Sequence, residues 1–299
     1  MSDLARPTFE RAKFNRSVSL LSWGLNEEAL VDGFLTRAIA LLEETVEEFE
    51  IVFVNDGSTD RTGEILDAWA KREPRLKVIH NEKNLNVGLS CRRAVQAAGK
   101  EYLFWQTVDW SYDITNLRTF LELLNHYDVV QGVRVVPERI LSHIPLIRSI
   151  YRIRGRSDNL WKAMISLGNY YTQRMLFGAN FHDFQNITFY RSRAVQGLPM
   201  SGTTPFVNPE MLIRSYYGGS RFIEVPINFI PRSEGEAKGT RIGTVIRTVV
   251  DIAGNWLQWG WRLSRTPVGE RGSIERVSSP FFLSDEVLRL VIPLFKDFR

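Results

Sequence analysis

Residues 50–66 read EIVFVNDGSTDRTGEIL. The run IVFV is short, apolar and β-branched, so it reads as a buried strand, and NDGS after it reads as a turn. Asp60 then stands where it can cap a helix carrying Ile65, Leu66 and Trp69. A strand that passes through a tight turn into a helix is the repeating unit of a parallel sheet, because parallel neighbours need a long crossover.

The same unit recurs on both sides. Residues 17–22 (SVSLLS), 76–80 (LKVIH) and 102–107 (YLFWQT) read as further buried strands. Between them, Asn26 reads as the N-cap of a helix with Glu27 and Glu28 in its first turn and Leu30, Val31, Phe34, Leu35, Ala38, Leu41 and Leu42 at helical spacing. Residues 87–98 read as another helix. A fifth strand at 128–133 (DVVQGV) precedes a basic, helical stretch over about 144–175. Strands at 186–190 (NITFY) and 221–229 (RFIEVPINF) then flank a helix over 209–217. From Gly239 onward the pattern is one long helix followed by a weakly structured tail. The expected fold class is α/β with a mostly parallel central sheet and flanking helices.

With 299 residues, 44% of them apolar, the chain can build one large α/β domain or two small ones. Its net charge of +4 is too small to imply nucleic acid by itself. The surplus is concentrated in residues 134–162, where Arg134, Arg139, Arg148, Arg152, Arg154, Arg156 and Lys162 face only Glu138 and Asp158. That segment reads as a solvated face or as an anion site, and it lacks the aromatic interleaving of a single-strand reader, so no nucleic acid partner is expected. A single cysteine, Cys91, rules out an intramolecular disulfide and fits a reducing compartment. The four histidines, none at ligand spacing, make zinc an unsuitable metal. Neither a secretory signal nor a spanning segment is visible, which points to the cytoplasm. Contact with a membrane would then be peripheral, on its inner face. On the helix after Gly239, Arg247, Asp251, Asn255, Gln258 and Arg262 form one polar stripe, with Trp256, Trp259 and Trp261 outside it. Such a helix either packs on the domain or lies in a membrane interface.

Ligands of a parallel sheet bind beyond the carboxyl ends of its strands. Three polar clusters fall there: NEE (26–28), NDGS (55–58) and TVDWSYD (107–113). Singly each is an ordinary cap or turn. In this order and spacing, LNEEA, VNDGSTDRTGEIL and NLNVGLSCRRAVQAAGKEYLFWQTVD resemble glycosyltransferase family 2, whose pattern is a strand ending in Asn-Glu, a strand ending in an Asp-Asp-Gly-Ser-like turn, and an Asp-x-Asp motif. The resemblance continues through VVQGVR, HDFQNITFYRSRAV and SRFIEVPINFIPRSEGEAKGTR, the last similar to dolichyl-phosphate mannose synthases and bacterial polyprenyl-phosphate sugar transferases, and covers about residues 17–241.

That resemblance implies a GT-A fold over residues 1–238, with a nucleotide-binding half at about 17–113 and an acceptor half at about 114–238, followed by a C-terminal helical extension over 239–299. It implies an inverting transfer from a UDP- or GDP-linked sugar to a polyprenyl phosphate or to a glycan hydroxyl in cell-envelope synthesis. Glu27 and Asp56 would line the nucleotide pocket, and Arg92 or Arg93 would lie near the diphosphate. Asp109, the second Asp of the motif, would hold a divalent metal, Mg2+ or Mn2+. Arg232 and Lys238 would add cations toward the same anion or an acceptor phosphate. Asp183 and Glu210 are the candidates for a general base, which a hydroxyl acceptor needs and a phosphate does not. The sequence departs from the pattern at Asn55, at Thr107 in the first Asp-x-Asp position and at Ala237. One Asp with a Thr makes a weak metal site, which leaves Asp113 as a further ligand, the two cations as substitutes, or a non-catalytic GT-A protein that binds a nucleotide sugar or glycan as a scaffold.

Overall fold

A computed structural model describes residues 12–134, 160–228, 230, 242–277, 284–292 and 294. The chain runs β1 (Phe14–Gly24), α1 (Val31–Thr45), β2 (Val46–Asn55), α2 (Thr62–Arg72), β3 (Leu76–His80), α3 (Val87–Ala97), β4 (Tyr102–Trp105), α4 (Leu117–Leu123) and β5 (Val129–Arg134). It continues with α5 (Leu160–Phe177), β6 (Thr188–Arg191), α6 (Val207–Tyr217), β7 (Arg221–Ile227), α7 (Ile242–Asn255), β8 (Ser273–Arg276) and α8 (Asp285–Val291).

The eight strands form one sheet in the order β3-β2-β1-β4-β6-β5-β7-β8. Every pairing is parallel except those of β6, which runs antiparallel to β4 and to β5. Reversal of β6 has a consequence for the site. Its entry, rather than its exit, lies at the edge where the parallel strands end, so the segment before Thr188 joins the loops after β1, β2 and β4. The strands are apolar because both sheet faces are covered: Ile51, Val52, Phe53 and Val54 are fully buried in β2, and Phe104 of β4 stacks on Phe189 of β6 with ring centroids 5.0 Å apart.

Two expectations are corrected here. Asn26 does not cap α1; it sits in a left-handed conformation (φ 54°), and α1 begins at Val31 after an uncapped Leu30. The extension after Gly239 is not wholly helical, since β8 pairs with β7 and closes the sheet on that side.

Asp251 and Asn255 of the α7 polar stripe are turned inward, while Arg247, Gln258 and Arg262 are exposed. Asp251 Oδ2 accepts from the amides of Thr203 and Thr204, both at 2.9 Å, and Asn255 Oδ1 accepts from the Ser201 hydroxyl at 2.6 Å. Trp256 and Trp259 are also turned inward. The indole of Trp256 donates to the Leu176 carbonyl at 2.8 Å, and Trp259 lies 5.1 Å from Phe177. One π-helical turn, Trp256–Gly260, follows α7. It brings Gly260 so near Phe177 that a Cβ there would lie 2.5 Å from the ring, so no other residue fits. What α7 shows to solvent includes a run of apolar side chains, Ile246, Val249, Val250 and, just beyond, Leu257, all more than half exposed, beside the exposed Arg247.

Candidate nucleotide and acceptor site

At the carboxyl ends of β1 and β2 the two loops are joined by a ladder of side-chain bonds. The Asn26 amide donates to Ser58 Oγ at 2.9 Å and its Oδ1 accepts from the Thr59 amide at 2.8 Å. The Glu27 amide donates to Thr62 Oγ1 at 2.8 Å, and the Glu28 carboxylate accepts from the Arg61 amide at 3.0 Å. Asp60, expected to cap α2, does accept from the Thr62 amide at 3.0 Å and from its hydroxyl at 2.6 Å. Burial alone would raise its carboxyl, but the Thr62 donors, with the backbone amides of Glu28 and of Asp60 itself, together outweigh it and hold the group below the ordinary Asp value. NEE and NDGSTD thus form one rigid edge instead of two helix starts. Gly57 (φ +74°) is required because a side chain would collide with the backbone of Lys83 and Asn84, at 2.4 and 2.6 Å.

Asp56 is buried under that edge. Its Oδ1 accepts from Asn81 Nδ2 at 2.7 Å and from the Leu85 amide at 2.8 Å. Arg93 bonds Asn81 Oδ1, so Arg93 reaches Asp56 through Asn81. Arg92 instead donates to the Met200 carbonyl at 2.6 Å, away from that network. Asn81 escaped the sequence reading because it follows a strand as a single turn residue. Its partnership with Asp56 is visible only in three dimensions. Asn55, the departure from the family's Asp, has a partner of its own: its Nδ2 lies 3.0 Å from His80 Nδ1.

Beyond β4 the chain turns sharply at Trp110, whose φ of 53° is left-handed. Asp109 Oδ1 accepts from the Ser111 hydroxyl at 2.6 Å and from its amide at 3.2 Å, and that amide also lies 3.0 Å from Thr107 Oγ1. Asp113 has a different task, accepting from the Thr115 amide and hydroxyl at 3.0 and 2.6 Å. Tyr112 joins this loop to the segment before β6, its hydroxyl donating to the Gln185 carbonyl at 3.2 Å. That segment carries Asp183, which is 3% exposed and accepts from the Gln185 amide at 3.1 Å.

Glu210, the other base candidate, lies at the start of α6 and is fully buried. Four donors engage its carboxylate: the Ser201 amide at 3.0 Å and hydroxyl at 3.1 Å, the Gly202 amide at 2.7 Å and Arg214 Nε at 2.8 Å. It anchors the loop over 201–204 from one side while Asp251 anchors it from the other. This loop packs on the start of α3, where a Cβ on Gly88 would lie 2.5 Å from the Gly202 carbonyl. Arg232, Lys238 and the basic run from Arg139 to Arg156 lie outside the described residues.

Among the described residues no group of three His, Cys, Asp or Glu could hold a metal. The oxygens gathered here are the Asp109 carboxylate and the Thr107 and Ser111 hydroxyls, a set of the kind that suits Mg2+ or Mn2+ when phosphate oxygens and water supply the rest. Among the described residues no helix is long and apolar enough to cross a membrane.

The model of glycosyl transferase family 2 matches residues 25–198, more than half of the chain, and the chain belongs to that family. Glycosyltransferase AglD of Haloferax volcanii is 23% identical over 257 residues, covering 84% of this chain but 38% of its own length. The undecaprenyl-phosphate mannosyltransferase of Micrococcus luteus is 26% identical over 242 residues, 79% of this chain and 93% of that protein. Glucosyl-3-phosphoglycerate synthase from Mycobacterium tuberculosis, solved with Mg2+ and uridine diphosphate, superposes with a TM-score of 0.51 at 14% identity over 80% of this chain and 79% of that one. The fold is the GT-A fold, as the sequence resemblance implies.

Proposed function

We propose that the protein transfers a sugar, with inversion at the anomeric carbon, from a nucleoside-diphosphate sugar to a polyprenyl phosphate presented at a membrane surface. The observation that carries this reading is the gathering of Glu27, Asp56, Asp109 and the Asp183 segment beyond one edge of adjacent strands, in the sheet order β2-β1-β4-β6. The nearly full-length likeness to an undecaprenyl-phosphate mannosyltransferase supports the acceptor. Asp56, an acceptor-only group, would take hydrogen bonds from the base or ribose, and its bonds from Asn81 and Leu85 hold it in place beforehand. Glu27 would line the same pocket. Arg93, Arg232 and Lys238 would supply cationic donors to the phosphates.

Asp109 would hold a divalent cation against the diphosphate, with Thr107 and Ser111 beside it. Such a cation, when bound, offsets the negative charge of the departing nucleoside diphosphate. The tight turn at Trp110 and the Ser111 bonds keep the carboxylate from moving during that charge build-up.

The outward face of α7 would rest on lipid. Ile246, Val249, Val250 and Leu257 are exposed, and Arg247, Arg262 and Arg265 surround them as exposed cations suited to anionic headgroups. Several large apolar side chains exposed together on one helix, with cations among them, suit a surface that something apolar covers.

A second reading, transfer to a sugar hydroxyl, is favoured by one observation, the buried Asp183 beside the Tyr112 loop. It would take the hydroxyl proton, whereas a lipid phosphate is already anionic. Glu210, with four donors on its carboxylate, suits a structural anchor better than a base.

The test is incubation with UDP- and GDP-sugars, Mg2+ or Mn2+, and either undecaprenyl phosphate in detergent micelles or an oligosaccharide. Sugar label in the solvent-extracted lipid is expected. Label only in the oligosaccharide would establish the hydroxyl reading. Nucleotide binding with no donor consumed by any combination would overturn both in favour of a non-catalytic binder.

A further inference from the structure

Four adjacent strands, β6, β5, β7 and β8, carry polar side chains at one level of the sheet. Thr188 of β6 pairs with Gln131 of β5, Gln131 with Glu224 of β7, and Glu224 with Arg276 of β8. Residues directly across a ladder point to the same face, so the four form a row. Thr188, Gln131 and Glu224 are 1%, 0% and 2% exposed, among strands whose buried side chains are mostly apolar. Burying such groups is costly unless each finds a partner, and a carboxylate costs most. Gln131 Nε2 also donates to the Gly132 carbonyl at 3.0 Å and Thr188 Oγ1 to the Asn186 carbonyl at 3.2 Å, but the other partners lead to one short segment.

Thr188 Oγ1 donates to Gln131 Oε1, and Gln131 Nε2 in turn donates to the Asp183 carbonyl at 3.4 Å. Glu224 accepts from the His182 amide at 2.6 Å and, on its other oxygen, from His182 Nδ1 at 2.9 Å and Arg276 Nε at 2.9 Å. Arg276 Nη2 then reaches the Asn180 carbonyl at 2.6 Å. The peptide from Asn180 to Asp183 is thereby held at three points along its backbone by side chains from three strands. Sequence separation makes this arrangement unusual for a merely local brace, because Arg276 lies 96 residues from the carbonyl it bonds.

We infer that this row positions the Asp183 segment for the transfer step, that Glu224 and Arg276 are positioning residues of the reaction, and that β8, though outside the matched family region of 25–198, is part of the catalytic half. The inference rests on the reading that Asp183 borders the reacting groups. Glu224 is the centre of the row: it gathers one backbone amide, one imidazole and one guanidinium, so loss of its charge releases Asn180 and His182 together. Arg276 fixes the same carboxylate from the far side through a planar group with two separate bonds, which a lysine cannot make.

The experiment uses the full chain, with the transfer assay above as readout, on Asp183→Asn, Glu224→Gln, Arg276→Lys and the double variant Asp183→Asn/Glu224→Gln. Melting temperature and UDP or GDP affinity are measured on each. A displaced reacting group costs roughly ten- to a hundredfold in rate, so Glu224→Gln and Arg276→Lys are expected to lose that much kcat while nucleoside diphosphate affinity stays at the wild-type value. In the Asp183→Asn background Glu224→Gln should cost almost nothing more, since groups that act as a unit are not additive. Hydrogen exchange at residues 180–185 should rise in both single variants, and it reports on the row even if Glu224→Gln is too unstable to assay. Wild-type turnover by Asp183→Asn would refute the reading that Asp183 borders the reaction. A slow Asp183→Asn beside wild-type kcat in Glu224→Gln and Arg276→Lys, or full additivity in the double variant, would overturn the positioning role itself.

Discussion

The two halves of the sheet build their parts of the site by different means. In β3-β2-β1-β4 each strand is followed by the loop that carries its functional group, and the loops then bond each other across about thirty residues, as Asn26 does with Thr59 and Glu27 with Thr62. In β6-β5-β7-β8 the functional segment is held from beneath by strand residues at 131, 188, 224 and 276. On the proposed reading, local order would serve the nucleotide and long-range order the acceptor. A half assembled from strand–loop–helix units leaves its chemistry in the sequence, whereas a half assembled from cross-strand contacts does not.

The largest effect that separates the halves should come from Asp109. Asp109→Asn removes the carboxylate proposed to hold the cation, and loss of one preorganised electrostatic contact lowers rate by roughly 10²- to 10³-fold. Steady-state turnover against Mn2+ concentration, with EDTA as control, measures it. Robust turnover of wild type in EDTA, matched by Asp109→Asn, would transfer the phosphate-binding role to the cationic side chains.

Next in size is Asp56→Ala. A lost hydrogen bond to a charged acceptor is worth ~1.5 to 3 kcal/mol, about tenfold or more in affinity. Calorimetric titration with UDP and GDP should register that loss with the rate on bound donor changed less. An unchanged affinity in a folded variant would remove Asp56 from the pocket and dissolve the contrast between the halves.

Smaller again is the effect of placing charge on the exposed face of α7. The double variant Val249→Glu/Val250→Glu should reduce sedimentation with anionic liposomes by roughly tenfold, as apolar contact is replaced by a like charge. Nucleotide affinity should be untouched, since neither side chain packs inward. Equal sedimentation of both forms would leave the membrane without a role for this face.

The smallest expected change is none. Cys91 is 1% exposed in α3, and burial pushes its thiol well above the ordinary range. A thiol reagent should therefore leave the native protein unlabelled and react only after unfolding.

Against this contrast, the limits of sequence reading have physical causes. Strand and helix order was legible wherever a continuous apolar run met a turn, as in EIVFVNDGS, and the loops carrying Glu27, Asp56 and Asp109 followed from it. Asn26 misled because Asn serves equally as a helix cap and as a left-handed turn residue, and the choice depends on Ser58 and Thr59, which a local pattern does not place nearby. The spacing shows the stripe on α7 but not that Asp251 and Asn255, rather than Arg247, Gln258 and Arg262, face inward. Periodicity tells that two faces differ, and only the packing of residues 201–204 tells which is inside. Glu224 did carry a signal, a lone acid in the apolar strand FIEVPI, yet its partners His182 and Arg276 lie on separate elements.

The most direct test of the central claim, that the loops after β1, β2 and β4 form the nucleotide-sugar site, is a hydrogen-exchange footprint of the full chain with UDP or GDP and Mn2+. Binding to the native state slows local opening where the ligand sits. Added protection is expected at residues 25–28, 55–62 and 107–113, with little change over 242–263. Binding that protects other segments and leaves these three loops exchanging as before would contradict it.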